Sequence, residues 1–252
     1  MENTAETVKA RAFSADTIKY IAIAAMVLNH LANVFLEDGT MLCECLKAVG
    51  YFTAPAMIYF LVEGYYHTRS RKKYFQRLLI FGAVSEVPFC LAFTENGVIA
   101  FAGLDMILTL ALCYLMIRVY QNVRNRSLQM LLYLIILVAS YWCDWALWAP
   151  VLTLAFVYTR SSEKKLKETW LLAAMFFGAE NYFGSAGSMS ASAAAVSSVL
   201  GMAAFGMAGV CILHLYNGKR SENHRKFNKW FFYVFYPVHL TVIGVLRIAL
   251  MH

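Results

Sequence analysis

The chain has 252 residues, is 60% hydrophobic and carries a net charge of +7, from 22 Lys and Arg against 15 Asp and Glu. A soluble domain is about 45–50% apolar, so this excess excludes an ordinary water-soluble globule and points to lipid as the solvent. The cations fall in short loops between apolar runs, a topological pattern, and no nucleic acid is expected as a partner.

The first residues, 1–13, have no apolar core or cleavage site of a secretory signal and read as a short cytosolic arm. A single membrane domain is expected over 14–252. A spanning helix needs about 20 mainly apolar residues. Nine stretches approach this: 15–36, 47–66, 74–94, 98–118, 128–142, 145–159, 168–183, 190–216 and 230–250. The expected fold class is therefore all-α, a polytopic membrane protein of about nine transmembrane helices. The fifth to seventh stretches are short, and the break at Cys143-Asp144 leaves a re-entrant pair as the alternative there.

Loop charges test that count. Basic residues follow the even-numbered stretches, for example Arg69, Arg71, Lys72, Lys73 and Arg77, then Arg118, Arg124 and Arg126, and finally the run from Lys219 to Lys229. The alternate loops hold Glu37, Asp38, Glu44, Glu95 and Asp144, with Lys47 nearly alone among cations. Basic loops face the cytoplasm, so the N-terminus is expected inside and the C-terminus outside. The segment 184–198 is rich in Gly, Ser and Ala, which allows close helix approach and carries no chemistry.

Ionisable residues inside apolar helices are costly and mark function by default. Lys19 and His30 share the first stretch, DTIKYIAIAAMVLNHLANVF. Eleven steps of about 100° return to nearly the same face, roughly 16 Å along the axis. Neutral imidazole is a general base near neutral pH, which makes His30 a catalytic candidate; the plainer reading is a core histidine bonded to a carbonyl. Lys19 either binds a ligand or snorkels to the interface. Glu86, in FGAVSEVPFC, and Asp105, in the outer third of the fourth stretch, are candidate orienters of an imidazole or of a polar acceptor. In YPVHL, Pro237 frees the carbonyl of Tyr233, and Tyr236 and His239, with Asn29, are candidate substrate-lining residues.

The loop HTRSRKKYFQR packs Arg69, Arg71, Lys72, Lys73 and Arg77 beside two aromatics. It is either topogenic or a grip for a phosphorylated donor. Cys90, Cys113 and Cys211 lie in apolar runs and read as reduced core residues. Cys43, Cys45 and Cys143 have neither the spacing of a zinc site nor a nearby histidine, and no metal is expected. No phosphate-binding glycine loop, dinucleotide fingerprint, HExxH or Gly-x-Ser-x-Gly element is present.

Three stretches together resemble the TraX family of integral membrane proteins: DTIKYIAIAAMVLNHLANVF, YFTAPAMIYFLVEGYYHTRSRKKYFQRLLIFGAVSEVPF and LYNGKRSENHRKFNKWFFYVFYPVHL. TraX proteins are associated with N-terminal acetylation of conjugative pilin subunits. The first stretch is also similar to the wider superfamily of transmembrane acyltransferases, including acyltransferase-3, which place a basic residue, ten residues and a histidine on the first helix. That resemblance implies His30 as catalytic base and Lys19 as a contact near the donor, acetyl-CoA or another acyl-CoA. It implies an acceptor amine or hydroxyl, on a pilin-like peptide N-terminus, a glycan or a small molecule, and a location in the bacterial cytoplasmic membrane. One position departs: the TraX pattern often has an acidic residue before the histidine, and this chain has Asn29. Two other classes stay open, a small proton-coupled transporter using His30, Glu86, Asp105 and His239, and a non-catalytic assembly factor for a surface structure.

Overall fold

A computed structural model describes residues 12–94, 99–185 and 190–251. Most of the arm over 1–13, Glu95 and residues 186–189 of the Gly/Ser/Ala segment lie outside the described residues. Ten α-helices account for most of the rest: α1 (Ala15–Phe35), α2 (Met41–Gly50), α3 (Thr53–His67), α4 (Arg71–Phe93), α5 (Met106–Asn122), α6 (Arg126–Ala139), α7 (Trp148–Thr159), α8 (Glu163–Ser185), α9 (Ala191–Val210) and α10 (Arg225–Met251). Helices α2 and α3 run on through a short break at Tyr51 and Phe52, so each apolar stretch corresponds to one helical rod.

Five rods are long and apolar enough to cross a bilayer: Ala15–Phe35, Met41–His67, Arg71–Phe93, Ala191–Leu215 and Arg225–Leu250. The rods Met106–Asn122, Arg126–Trp142 and Trp148–Thr159 are apolar but shorter, and α8 begins in the charged run EKKLKE. The protein is thus an integral membrane protein of helical type. Outward faces carry apolar side chains in register, as with Leu131, Leu134, Ile135 and Val138 on α6 and Leu171, Leu172, Met175 and Phe176 on α8. Such faces suit hydrocarbon, where backbone groups must be satisfied within the helix.

Several helix starts follow capping chemistry and not hydropathy. Ser14, Ser70, Asn125 and Ser190 each accept from a backbone N–H of the first turn of the helix that follows. Asp105 does the same for α5, accepting from Ile107 N at 2.6 Å and Leu108 N at 3.0 Å. The fourth rod therefore begins at Met106, eight residues later than the apolar run over 98–118 suggests.

Three packing features place the site. Helix α1 lies against α2, α3 and α10, and α10 lies along α4. The junction of α2 with α1 is close enough that a Cβ on Gly50 would stand 2.1 Å from Asn29 Cβ, so this position requires glycine. The segment after α9, which ends in a π-type turn with Tyr216 N bonded to Cys211 O at 2.9 Å, pairs with Phe13, and Ala15 N donates to Lys219 O at 2.9 Å. That pairing fixes the 216–220 turn beneath the N-terminus of α1. The loop after α6 is fixed similarly, through Leu104 N to Trp142 O and Asp144 N to Leu104 O.

Candidate functional site

Two cavities lie along α1. The first, about 470 Å³, is a vestibule at the N-terminal end of the helix, walled by Lys19, Arg77, Arg220, Arg225 and Lys229 with Asp16, Glu63, Tyr74, Tyr216 and Tyr233. The second, about 510 Å³, lies against the C-terminal half of α1 and is walled by Asn29, His30, Asn33, Tyr51, Thr53, Asp144, Trp145 and Tyr236. Met57, Ile107, Leu110 and Phe232 belong to both walls. The two cavities therefore adjoin through a neck of four apolar side chains.

The vestibule is strongly cationic. Its two carboxylates are already engaged: Asp16 accepts from Ser221 N at 3.1 Å, and Glu63 takes the Tyr216 hydroxyl on both oxygens at 2.8 Å. Arg77 stacks near the Tyr74 and Tyr233 rings, 5.6 and 5.9 Å from their centroids. Its Nε is buried and makes no hydrogen bond among the described residues, and an unsatisfied charged donor is expensive unless an anion meets it. Lys19 sits 5.2 Å from the Phe60 centroid and 5.6 Å from that of Phe232, so its ammonium reaches the neck.

His30 is buried, 8% exposed, and lines the second cavity. Its Nδ1 is 2.9 Å from Nε2 of His239 on α10, and Nδ1 of His239 is 3.0 Å from the Phe235 carbonyl. Phe93 meets the His30 ring edge-on at 5.2 Å. The other residues around the cavity are held firmly. Asn29 Nδ2 donates to Lys47 O at 2.7 Å, and Asn33 Nδ2 donates to Asn29 Oδ1 at 2.8 Å. An amide can donate to that carbonyl and a carboxylate cannot, so Asn29 ties α1 to the end of α2 and is no anionic partner of His30. Trp145 and Leu147 have φ of 57° and 59°, a costly left-handed backbone for large side chains. The Trp145 ring is stacked on Phe177 at 5.2 Å.

Several expected site residues stand elsewhere. Glu86 and Asp105 do not bond to His30. Asp105 caps α5, and Glu86 Oε2 accepts from Asp105 N at 3.1 Å, so both serve the start of that helix. The partner of the imidazole is His239, a pairing across 209 residues. Tyr236 does line the cavity, and its hydroxyl accepts from Met106 N at 3.3 Å. Of the 67–77 cluster only Arg77 among the five cations reaches the vestibule. Arg69, Arg71, Lys72 and Lys73 are exposed, with Arg71 over the Tyr65 ring at 4.6 Å. Arg71 to Arg77 also form the first turns of α4 and not a loop. The cations missed by sequence reasoning are Arg220, Arg225 and Lys229. Their signal is the stretch LYNGKRSENHRKFNKWFF, whose charges read in the sequence as topogenic. Asp144 and Trp145, in the wall of the second cavity, were also missed. Among the described residues no group of three or more His, Cys, Asp or Glu side chains is placed to hold a metal.

Fold and cavities together define a helical integral membrane protein with a cationic vestibule at one end and a histidine-bearing cavity deeper in. The chain belongs to the TraX family, whose model, described as TraX protein, matches residues 14–247. It is 33% identical over 247 residues to "Probable fimbrial assembly protein FimC, serogroup H1" from Dichelobacter nodosus, covering 92% of this chain and 94% of that protein. No solved structure matches it significantly.

Proposed function

We propose that the protein is an acyltransferase of the bacterial cytoplasmic membrane, moving an acetyl or other acyl group from cytosolic acyl-CoA to an amine or hydroxyl acceptor. The observation that carries this reading is the cationic vestibule joined through an apolar neck to the His30 cavity. The donor's phosphates meet Arg77, Arg220, Arg225 and Lys229. Its uncharged pantetheine arm threads the neck past Met57, Ile107, Leu110 and Phe232, and its thioester stands beside His30. The acceptor occupies the second cavity, between Asn29, Asn33, Asp144 and Trp145. His30 Nε2 takes the acceptor's proton as nitrogen or oxygen attacks the thioester carbonyl. The C–S bond breaks, the imidazolium returns its proton to the leaving sulfur, and free CoA and the acylated acceptor remain. The rate test is consumption of acetyl-CoA by purified wild-type protein, with slow hydrolysis expected even without acceptor. No binding and no consumption of any acyl-CoA would leave the second reading in place, a non-catalytic assembly factor, which the name of the fimbrial assembly relative favours.

This reading needs the vestibule in the cytoplasm. We take all nine rods as crossing the membrane, N-terminus inside, on the charge pattern of the loops. A reporter fused after His252 is then expected outside the cell. A cytoplasmic reporter would remove the odd span count.

A further inference from the structure

We infer that His239 is a positioning residue for His30, holding its ring with the proton on Nδ1 and the lone pair on Nε2. The catalytic value of this arrangement rests on the acyl-transfer reading above; the tautomer itself does not.

A carbonyl oxygen only accepts hydrogen bonds. The Phe235 carbonyl, 3.0 Å from His239 Nδ1, therefore requires a proton on that nitrogen. His239 lies four residues after Phe235 on α10, the spacing at which a side chain folds back on that carbonyl. A neutral His239 with Nδ1 protonated has a bare Nε2, which is an acceptor. Its neighbour at 2.9 Å, His30 Nδ1, must then donate. A neutral His30 that donates from Nδ1 keeps its lone pair on Nε2, the nitrogen left for a ligand in the cavity. The hydrogen bond made by one ring nitrogen in this way sets the state of the other.

The reverse polarity is disfavoured. It needs protons on both nitrogens of His239, a buried cation 7% exposed that no carboxylate bonds among the described residues. It also leaves His30 with Nε2 protonated and unable to accept. Ring packing fixes the planes. His239 lies nearly parallel to Phe235 at 5.2 Å and 10°, and to His30 at 5.1 Å and 11°, while Phe93 closes the far side of His30 edge-on. Once Nε2 takes a proton, the new charge on His30 is met by the aligned Nε2 lone pair of His239 and the carbonyl behind it. The device is a carbonyl–histidine–histidine line, in which the first two members hold the third.

Two substitutions separate hydrogen bonding from packing. His239→Phe keeps an aromatic ring against Phe235 and His30 but offers Nδ1 no acceptor. His239→Gln gives up the ring but presents an amide oxygen close to the former Nε2. The protein in lipid nanodiscs, labelled with ¹⁵N-histidine, reports ring tautomers, and the His30 signals are identified by their loss in His30→Asn. Wild type and His239→Gln are expected to show His30 protonated on Nδ1, and His239→Phe to lose that form. In turnover with acetyl-CoA, His239→Phe is expected to lower kcat by at least about tenfold, up to the roughly 10⁴-fold that a wrong tautomer costs a histidine base. Its KM for the donor should stay within about twofold, because the vestibule is untouched, and His239→Gln should recover most of kcat. A wild-type His30 protonated on Nε2 overturns the inference, and so do Phe and Gln variants that turn over alike beside an active wild type. A wild type that consumes no acyl-CoA overturns the acyl-transfer reading and the catalytic role with it, while the nanodisc spectra still decide the tautomer.

Discussion

His30→Ala is expected to lower acyl transfer by about 10²–10⁴-fold, the usual contribution of a positioned general base, and to leave donor affinity near that of wild type. The separation follows from where the groups sit. His30 belongs to the second cavity alone, while the cations proposed for the donor's phosphates belong to the vestibule, on the other side of the Met57–Phe232 neck. The donor thus loses no charged contact when the imidazole is removed. The measurement is kcat and KM for acetyl-CoA in purified wild type and mutant, with calorimetric binding of CoA as the second readout. Loss of CoA binding together with turnover would mean that the residue holds the fold, as a buried ring between Phe93 and His239 can. Turnover equal to wild type would remove His30 from the mechanism.

That His30 stands in a cavity was legible because hydrocarbon makes a buried imidazole conspicuous. The nine rods were legible for the same reason, since apolar length is a composition property. Helix ends were not. Residues 98–105 are largely apolar, yet α5 waits for the Asp105 cap, a backbone requirement that hydropathy does not register. Asp105 and Glu86 read in the sequence as orienters of an imidazole or of a polar acceptor, and in the structure neither bonds to His30. Both are acids inside apolar stretches, and the orphan N–H groups at the start of α5 engage Asp105 Oδ1 and Glu86 Oε2. His239 was singled out from YPVHL, but its pairing with His30 depends on how α1 and α10 cross. A contact across 209 residues leaves no trace in local pattern. Gly50 illustrates a similar limit. In sequence it is one small residue among fourteen glycines, and only the approach of Asn29 shows why a side chain is excluded there.

The vestibule sets up the second large effect. Charge density alone favoured the 67–77 cluster as the donor site, yet density on a helix says nothing about which face the charges occupy. Arg71, Lys72 and Lys73 are exposed on the first turn of α4, whereas Arg77, Arg220, Arg225 and Lys229 wall the vestibule. The double change Arg220→Gln with Lys229→Gln is therefore expected to weaken CoA binding by about 10–100-fold. That equals about 1.4–2.8 kcal/mol, below the roughly 3–6 kcal/mol that two shielded charged contacts would give at about 1.5–3 kcal/mol each, because solvent screens both groups. Arg220 is exposed, so the lower end applies to it. Salt provides a second signature. The screening length is about 8 Å at physiological ionic strength, so wild-type affinity should fall as salt rises, and the double mutant, with fewer phosphate contacts, should fall less steeply. The matched control is the triple change of Arg71, Lys72 and Lys73 to Gln, which removes more charge from the same end of the protein but none from the cavity wall. It is expected to leave CoA affinity within about twofold at physiological salt, because these exposed charges lie off the cavity wall and are screened by solvent and salt. Calorimetry on the three correctly inserted proteins decides between the two surfaces. A triple mutant that loses as much affinity as the double mutant would move the donor's phosphates back to the start of α4, and the path through the neck to His30 would have to be drawn from there.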